Sequence, residues 1–257
     1  MKAMILAAGL GTRLRPLTDD RPKALVTVAG RTLLEIALAR LRFFGVHDVI
    51  VNTHHYAGMI SDYLEANRNF GMHIAISHEP LLLDTGGGLK NAAPFFLDSN
   101  AGSPDPFILH NVDVLSTIDL ARMVRFHTDH SALATLAVQP RETSRYLFFD
   151  QHGQLCGRRT APNRTAPAAE PHDELVRPAA EIHALAFAGI HVLSPQIFAK
   201  MQEQGVFSII DTYLRLAAQN ENIVAFHADD SYWRDLGRPE SIVEAARDLA
   251  TGKYPEV

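Results

Sequence analysis

A short run rich in glycine and arginine, from Gly9 to Arg15, directly follows the first apolar segment of the chain. Glycines let a backbone come close to a polyphosphate and point its N–H groups toward the phosphate oxygens. The guanidinium groups of Arg13 and Arg15 add charge that spreads over several phosphate oxygens. The run therefore predicts a loop that binds phosphate groups.

Two well-known phosphate-binding loops fit this run poorly. A dinucleotide-binding fingerprint needs a third glycine where Leu14 stands, and a Walker loop needs a Gly-Lys-Ser/Thr string that is missing from this stretch. An ordinary strand-to-helix turn with solvated arginines accounts for the glycines equally well. The glycines alone leave both possibilities open.

A lysine and a carboxylate further along the chain favour phosphate chemistry. Lys23 lies ten residues after Arg13, and Pro22 stiffens the chain just before it. The lysine ammonium is a point charge that could contact the same phosphates as the loop with Arg13. Asp113 follows another apolar run, from Phe107 to His110. Because ligands of open α/β sheets gather at the carboxyl ends of strands, Asp113 is also expected near a ligand.

The apolar pattern around these residues predicts the elements that must hold them. Short apolar runs predict strands at 3–7, 48–52, 74–77, 107–110, 132–139, 146–149, 184–193 and 223–227. Apolar residues at helical spacing predict helices at 33–44, 60–67, 195–204, 209–219 and 239–250, with another that begins at Gly88. Because strands and helices alternate at short intervals, the N-terminal half is expected to be a doubly wound, mostly parallel α/β sheet. The polar stretch 158–177 is predicted to be a surface loop.

Composition excludes several classes of protein. The chain has 257 residues, of which 47% are hydrophobic, enough for one large domain with a full core. Its net charge of −5 argues against a nucleic-acid partner. No apolar run approaches the roughly 20 residues that span a bilayer, and the N-terminus lacks a signal-peptide pattern, so a cytoplasmic protein without a membrane partner is predicted. The single cysteine, Cys156, forms no internal disulfide, and its polar setting argues against a nucleophile.

Several coupled motifs resemble one enzyme family. The string Gly-x-Gly-Thr-Arg-Leu-x-Pro-x-Thr begins at Gly9, Pro-Lys follows at Pro22, and Val-Ala-Gly and Leu-Leu-Glu begin at Val28 and Leu33. Together these motifs strongly resemble those of the sugar-1-phosphate nucleotidyltransferases, also called nucleotide-sugar pyrophosphorylases. The short chain and the Asp-Thr-Gly-Gly-Gly string at Asp84 make it most similar to the N-acetylmuramate-1-phosphate uridylyltransferases. Mannose- and heptose-1-phosphate guanylyltransferases are the alternative.

The resemblance implies a reaction and a fold. A nucleoside triphosphate and a sugar 1-phosphate would react to give a nucleotide-sugar and pyrophosphate, with Mg²⁺ as cofactor. The resemblance implies no other protein as a partner, and the enzyme would be a monomer or a homodimer. The fold would be a Rossmann-like sheet flanked by helices, with a small sugar-binding lobe, in a single domain over 1–257. The nucleotide-binding half would cover about 1–115, the sugar-binding part about 116–230, and a closing helix 239–250. A non-catalytic nucleotide-sugar sensor on the same fold is the alternative from another class.

The resemblance also implies roles for individual residues. Catalysis would involve Arg13, Lys23 and Asp113. Mg²⁺ would bind Asp113 and Asp235, because the string from Trp233 to Pro239 matches the family's aromatic-x-Asp-x-Gly-x-Pro signature. A glycine-rich turn would let the base lie flat against the backbone. The nucleotide would contact Ala7, Ala8, Gly9, Gly11, Thr12, Arg13, Glu79, Thr85, Gly86, Gly87 and Asn111, and the sugar would contact Asp113, Tyr146 and Gly189.

The chain departs from the family in the sugar site. Many relatives carry a lysine that meets the sugar phosphate, just before a strand that ends in Ala-Gly-Ile/Val-Tyr, but no lysine lies between Lys90 and Lys200 here. Tyr146 is followed by leucine where relatives have glycine. The candidates for the sugar phosphate are therefore the arginines of the polar stretch, Arg158, Arg159, Arg164 and Arg177. Three histidines lack metal-ligand spacing and are predicted to be structural or to contact the sugar: His54, His55 and His78.

Overall fold

The computed structural model describes residues 1–97, 105–160 and 172–254. The strands are β1 (Lys2–Leu6), β2 (Thr27–Val28), β3 (Arg31–Thr32), β4 (Asp48–Thr53), β5 (His73–His78), β6 (Phe107–Asn111), β7 (Val114–Ser116), β8 (Ala134–Gln139), β9 (Tyr146–Phe149), β10 (Leu155–Thr160), β11 (His172–Leu175), β12 (His183–Leu193), β13 (Ile223–His227) and β14 (Trp233–Asp235). The α-helices are α1 (Leu33–Phe43), α2 (Ala57–Ala66), α3 (Asp84–Asn91), α4 (Ala93–Leu97), α5 (Leu120–Asp129), α6 (Ile197–Lys200), α7 (Ile209–Ala218) and α8 (Pro239–Ala250).

Parallel strands form the N-terminal part of the main sheet. β1 lies between β4 and β6, and β5 pairs with the outer edge of β4. Ala3 to Ile5 of β1 are fully buried, as expected for an apolar central strand covered on both faces. Since parallel strands end at the same edge, Leu6 lies level with Asn52 of β4 and with Asn111 of β6. Polar side chains therefore collect at the carboxyl edge of these strands.

The C-terminal half adds antiparallel strands to the same sheet. β12 pairs with β6 through residues 190–193 and with β9 through residues 183–186. β10 and β11 extend the sheet beyond β9, whereas β8 pairs with β12 and carries β13 in parallel. The register of β12 against β8 shifts between Phe187 and His191, where Gly189 has a φ of 74°. The result is a mixed ten-stranded sheet, and the Rossmann-like α/β class predicted from the sequence is confirmed.

Helices cover both faces of the sheet. Ala3 and Ile5 of β1 belong to one apolar core and Met4 belongs to another, because successive side chains of a strand point to opposite faces. The first core includes residues of α1, α2, α5 and α8, such as Leu38. The second includes residues of α3, α4, α6 and α7, such as Tyr213. This two-sided covering is the doubly wound arrangement, and it leaves the carboxyl edge of the strands open for ligands.

Local sequence explains how α1 begins and ends. The side chain of Thr32 accepts a hydrogen bond from the backbone N–H of Glu35 at 3.0 Å, which caps the first turn. Arg31 and Glu35 form an ion pair across that turn. Gly45, with a φ of 75°, adopts the left-handed conformation that commonly follows the last turn of a helix. The helix predicted from apolar spacing is therefore also encoded by its caps.

Three predicted elements differ from the structure. The glycine-rich turn lies inside α3, which begins at Asp84 rather than at Gly88. The helix predicted at 195–204 is limited to α6, Ile197–Lys200. The predicted loop at 158–177 contains the end of β10 and all of β11, which pair antiparallel, whereas 161–171 lie outside the described residues. Charged side chains rather than apolar ones line this pairing, so apolar periodicity gives no signal for it.

Two further expectations concern the chain as a whole. Within the described ranges, no helix has both the length and the apolar character needed to cross a membrane. The predicted closing helix is present with the predicted bounds, Pro239–Ala250. The division into a nucleotide-binding half and a sugar-binding part stays a prediction.

Candidate active site

The loop after β1 is compact and anchored from within. Gly11 adopts a φ of 64°, and its carbonyl accepts hydrogen bonds from the backbone N–H of Leu14 at 2.8 Å and from the Thr18 hydroxyl at 2.9 Å. A side chain at Gly11 would place its Cβ 3.0 Å from Thr18 and 3.1 Å from the Cβ of Lys23. Leu14 is fully buried, whereas Arg13 is exposed. Burial of Leu14 therefore fixes the loop while leaving Arg13 able to meet a ligand.

Lys23 and Asp113 form an ion pair at the carboxyl edge of the sheet. The lysine Nζ contacts the Oδ2 atom of Asp113, and the two side chains are only 13% and 15% exposed. Pro22 lies in an extended conformation directly before the 3₁₀ turn Lys23–Leu25, which sets the direction of the lysine. Asp113 follows β6, where the backbone N–H of Val112 donates to the Leu6 carbonyl at 3.2 Å. The pair thus joins the loop after β1 to the end of β6.

Asp235 reaches the same edge through a small second sheet. β14 pairs antiparallel with β7, and Asp235 lies opposite Val114, next to Asp113 in the chain. The backbone N–H of Leu236 donates to the Asp113 carbonyl at 2.8 Å. One carboxylate oxygen of Asp235 accepts the Gly237 N–H at 2.6 Å, and the other lies 3.9 Å from Nη2 of Arg13. Four of the predicted site residues therefore converge although they come from distant parts of the sequence: Arg13, Lys23, Asp113 and Asp235.

A cavity of about 420 Å³ opens beside Lys23 and Asp113. Its lining includes seven residues predicted to bind nucleotide or to act in catalysis: Ala8, Gly9, Lys23, Glu79, Thr85, Asn111 and Asp113. Six others were not predicted: Leu6, Asn52, Leu82, Asp84, Val112 and Val206. The volume suits part of a nucleotide-sized ligand, and the mixture of apolar walls with a few polar groups is typical of a small-molecule site.

Asn52 and Glu79 form a buried polar network beneath the cavity. Asn52 accepts the backbone N–H of Ala7 at 2.6 Å and donates to Oε1 of Glu79 at 2.7 Å. The other carboxylate oxygen of Glu79 accepts the Leu83 N–H at 3.0 Å, and Glu79 is fully buried. The Ala7 N–H is therefore already used within the protein, and a ligand contact at Ala7 stays a prediction. Asn52 was missed in the sequence, although a polar residue that ends an apolar strand was the available signal.

The glycines of α3 serve packing. A Cβ at Gly86 would lie 2.4 Å from ring atoms of Phe207, and one at Gly87 would lie 2.5 Å from the Gly205 carbonyl oxygen. A Cβ at Gly88 would lie 2.5 Å from Oε1 of Glu79. These residues are buried inside the helix, so the predicted flat turn beneath a base is corrected to a close helix contact. Contact of Gly86 and Gly87 with the nucleotide stays a prediction, as it does for Gly11 and Thr12.

Gly189 and Tyr146 lie on the strands next to the site. A Cβ at Gly189 would lie 2.9 Å from Nδ2 of Asn111 and 2.8 Å from Val114, so only glycine fits the bulge of β12 at this point. Tyr146 begins β9, and its hydroxyl accepts the Thr143 N–H at 3.3 Å. Their predicted role in binding the sugar is not tested by this geometry.

Two of the four arginines proposed for the sugar phosphate form ion pairs with carboxylates. Arg158 pairs with Glu174 at 2.8 Å and with Asp211 at 2.6 Å, and Arg159 pairs with Asp173 at 2.7 Å. Both guanidinium groups are thus paired with carboxylates in this structure, and their role at the sugar phosphate stays a prediction. Nη1 of Arg177 is buried without a hydrogen-bond partner. Arg164 lies outside the described residues.

Other titratable side chains have structural surroundings. Nδ1 of His54 lies 2.7 Å from the Glu79 carbonyl oxygen, in agreement with a structural role. Cys156 is buried, and burial raises the pKa of its thiol, as expected for a cysteine that is not a nucleophile. In the described part of the chain, no group of three or more His, Cys, Asp or Glu side chains is arranged to hold a metal ion.

The donor set of Asp113 and Asp235 fits one class of cation. Asp113 lines the cavity, and Asp235 lies opposite Val114, the chain neighbour of Asp113. Mg²⁺ in phosphate-transfer sites is bound by one or two carboxylates, with substrate phosphates and waters as the remaining ligands. A site with only two protein carboxylates is therefore compatible with Mg²⁺ and unlike an all-protein metal cage.

Known proteins are similar to this chain in sequence and in fold. The nucleotidyl transferase family model matches residues 2–252. The chain is 34% identical over 257 residues to N-acetylmuramate alpha-1-phosphate uridylyltransferase of Caulobacter vibrioides, and the alignment covers 96% of each chain. It is 28% identical over 254 residues to mannose-1-phosphate guanylyltransferase of Mycobacterium tuberculosis, and this alignment covers 98% of this chain and 66% of that protein.

A solved structure of UDP-glucose pyrophosphorylase complexed with UDP-glucose superposes on the chain with a TM-score of 0.76 over 98% of both chains. The two sequences are 19% identical, so this similarity concerns the fold.

Proposed function

Because this chain belongs to the nucleotidyl transferase family and is thus a nucleotidyltransferase, we propose that it joins a nucleoside triphosphate to a sugar 1-phosphate and releases pyrophosphate. The observation that carries the proposal is the convergence of Lys23, Asp113 and Asp235 at the carboxyl edge of the sheet, beside the cavity. Cations for phosphate oxygens and carboxylates for a divalent metal are the groups that phosphoryl and nucleotidyl transfer require.

For the substrates we propose uridine as the base and N-acetylmuramate 1-phosphate, or a similar sugar phosphate, as the acceptor. The support is the Caulobacter vibrioides uridylyltransferase, which matches this chain over 96% of its own length. Guanylyl transfer to mannose 1-phosphate is the alternative, supported by the Mycobacterium tuberculosis relative. The uridylyl assignment is preferred because the guanylyltransferase is less similar and has additional length that this chain does not match.

In the proposed reaction, an oxygen of the sugar phosphate attacks the α-phosphorus of the triphosphate in line. A new P–O bond forms, and the bond from the α-phosphorus to the bridging oxygen breaks, so that its electron pair leaves with pyrophosphate. Lys23, held at the cavity wall by Asp113, neutralises charge on the α-phosphate. Arg13, on the loop after β1, holds the β- and γ-phosphates and then the pyrophosphate. Catalysis in this scheme is positioning and charge neutralisation.

Asp113 and Asp235 are the residues that would hold Mg²⁺. The bound cation would supply charge neutralisation to the phosphate oxygens of both substrates. The pairing of β14 with β7 places Asp235 opposite Val114, one residue after Asp113 in the chain, which supports a shared site. We also propose a cytoplasmic location, because nucleoside triphosphates are supplied there.

A substrate matrix tests the reaction. Each nucleoside triphosphate is incubated with several sugar 1-phosphates and Mg²⁺, and released pyrophosphate is measured. Turnover is expected to be fastest with UTP and N-acetylmuramate 1-phosphate. Preference for GTP with mannose 1-phosphate would favour the alternative. An absence of turnover with every pair would instead favour a nucleotide-sugar sensor on the same fold.

Substitution of the ion pair tests the assigned roles. Lys23→Ala and Asp113→Asn are expected to lower turnover about a hundredfold or more, because the first removes a positive charge at the transferred phosphate and the second removes a proposed carboxylate ligand of Mg²⁺. Lys253→Ala and Asp62→Asn change exposed residues and are expected to keep wild-type turnover. Thermal unfolding shows whether each variant is folded. Near-wild-type turnover in a folded Lys23→Ala or Asp113→Asn protein would contradict the assignment.

A further inference from the structure

Arg141 occupies a place that the sequence did not single out. It follows the end of β8, and its guanidinium Cζ lies 3.5 Å from the centre of the Trp233 ring. Its Nη2 donates to the Phe187 carbonyl at 2.7 Å, and the Trp233 indole N–H donates to the Ala188 carbonyl at 2.7 Å. These contacts hold the guanidinium against the bulge of β12 that contains Gly189.

The neighbourhood of Arg141 is the proposed sugar side of the site. Trp233 begins β14, the strand that ends at Asp235. Burial lowers the pKa of the Arg141 guanidinium, whereas its electrostatic interactions with Asp235 and Tyr146 raise that pKa. Because an arginine pKa starts above 12, the group stays positively charged. A fixed cation therefore lies near a proposed metal ligand and a proposed sugar contact.

The hydrogen-bonding capacity of Arg141 is only partly used. Nε is buried and has no hydrogen-bond partner, and Nη1 makes no hydrogen bond within the described ranges. No carboxylate in those ranges forms an ion pair with Arg141, in contrast to Arg158 and Arg159, which each have an acidic partner. Arg141 is half-buried, its buried Nε is an unsatisfied donor, and its guanidinium has no carboxylate partner in the described ranges, so the group is available to an anionic ligand.

We infer that Arg141 binds the phosphate of the sugar 1-phosphate, in place of the lysine that this chain lacks. The inference rests on the proposed function, since it names a residue for the acceptor substrate of that reaction. The contacts with Trp233 and Phe187 orient the guanidinium before the substrate arrives, so Nη1 can donate to a phosphate oxygen without a large loss of side-chain freedom. Stacking on an aromatic ring and donation to phosphate are both properties of arginine that lysine does not match.

Steady-state kinetics test the inference with the substrate pair found for the wild-type enzyme. Arg141→Gln is expected to raise the KM for the sugar 1-phosphate at least about tenfold, because a charge-assisted hydrogen bond is lost. The KM for the nucleoside triphosphate is expected to stay within about twofold, because Arg141 is not among the residues that line the cavity. Arg141→Lys keeps the charge and is expected to give an intermediate KM for the sugar 1-phosphate. Arg145→Gln changes an exposed neighbour and serves as the matched control.

The outcomes separate the inference from the proposed function. If the wild-type enzyme turns over no substrate pair, the proposed function fails whatever Arg141 does. If the wild type is active and Arg141→Gln leaves the KM for the sugar 1-phosphate unchanged, the inference is overturned. Equal rises in both KM values would also overturn it, because they would show that Arg141 only supports the fold around Trp233. If Arg141→Gln does not fold, Arg141→Lys decides the question by the same comparison of KM values.

Discussion

Because Gly237 has no side chain, the Arg13 guanidinium and the Asp235 carboxylate can both pack against it. A Cβ at this position would lie 2.6 Å from Nη2 of Arg13 and 2.7 Å from Oδ1 of Asp235. The Gly237 N–H also donates to that same carboxylate oxygen at 2.6 Å. The glycine of the late aromatic-x-Asp-x-Gly-x-Pro string is therefore explained by Arg13 and Asp235, the two proposed site residues that lie against it.

Replacement of Gly237 by alanine is expected to damage activity more than stability. The new methyl group meets the ends of two flexible side chains, so the backbone has little reason to move and the free energy of unfolding is expected to fall by less than about 1 kcal/mol. Displacement of Arg13 and Asp235 is expected to lower kcat about tenfold to a hundredfold, because catalysis by positioning is sensitive to shifts near 1 Å. Urea unfolding and pyrophosphate release measure the two effects. Gly58→Ala, with no neighbour within 4 Å of its Cβ, is the control.

Helix α3 and the segment from Gly205 to Ile209 form one unit at the cavity. The Gly86 N–H donates to the Phe207 carbonyl at 3.0 Å, and the Ile209 N–H donates to the Thr85 hydroxyl at 3.0 Å. Thr85 and Val206, one from each part of this unit, line the cavity. The distance between the helix and this segment therefore sets the shape of that wall.

Gly86→Ala is expected to push these two parts of the wall apart. Its Cβ would lie 2.4 Å from the Phe207 ring and 3.0 Å from the backbone nitrogen of Ile209. Overpacking of this kind is expected to lower the free energy of unfolding by about 1–3 kcal/mol. The KM for the nucleoside triphosphate is expected to rise with it, because the cavity wall moves. In Gly58→Ala, which has open space in α2, stability is expected to hold or rise slightly. Equal stability of both variants would contradict the packing role of Gly86.

At the scale of the whole molecule, three buried histidines link folding to pH. Burial lowers the pKa of His110 and of His127 to about 4, and that of His191 to about 3. His127 contacts the hydroxyls of Thr135 and Ser194, both at 2.9 Å. All three stay neutral in the folded protein down to these values, whereas in the unfolded chain a histidine takes up a proton below about pH 6.5. The burial of these neutral histidines therefore contributes its full stabilising free energy above that pH and progressively less as the pH falls toward 4.

Acid is therefore expected to destabilise the protein between pH 6.5 and pH 5. Each buried histidine is expected to contribute a loss of roughly 2 kcal/mol over this interval, because only the unfolded chain binds the proton. His127→Gln is expected to reduce the slope of the unfolding free energy against pH by about one proton. Urea unfolding at several pH values measures the slope. The exposed His73 provides the control variant His73→Gln, and an unchanged slope in His127→Gln would contradict the prediction.

The sequence by itself determined the class of chemistry and most of the elements that support it. The loop from Gly9, the position of Lys23 and the carboxylate after β6 are local patterns, and strand and helix periodicity is also local. Ligands of open α/β sheets bind at the carboxyl ends of strands, and Asp113, which follows such a strand, lines the cavity at that edge. The resemblance of coupled motifs added Asp235, which lies opposite Val114, the chain neighbour of Asp113.

Only the tertiary structure decided which side chains are free to act. Arg158 and Arg159 are paired with acids across a hairpin that apolar periodicity does not detect, whereas Arg141 is stacked on Trp233 and has no acidic partner among the described residues. The role of Gly86 also depends on a ring more than a hundred residues away in the sequence, at Phe207. Such pairings follow from strand register and close packing between distant segments, and these depend on the whole chain at once rather than on any local pattern.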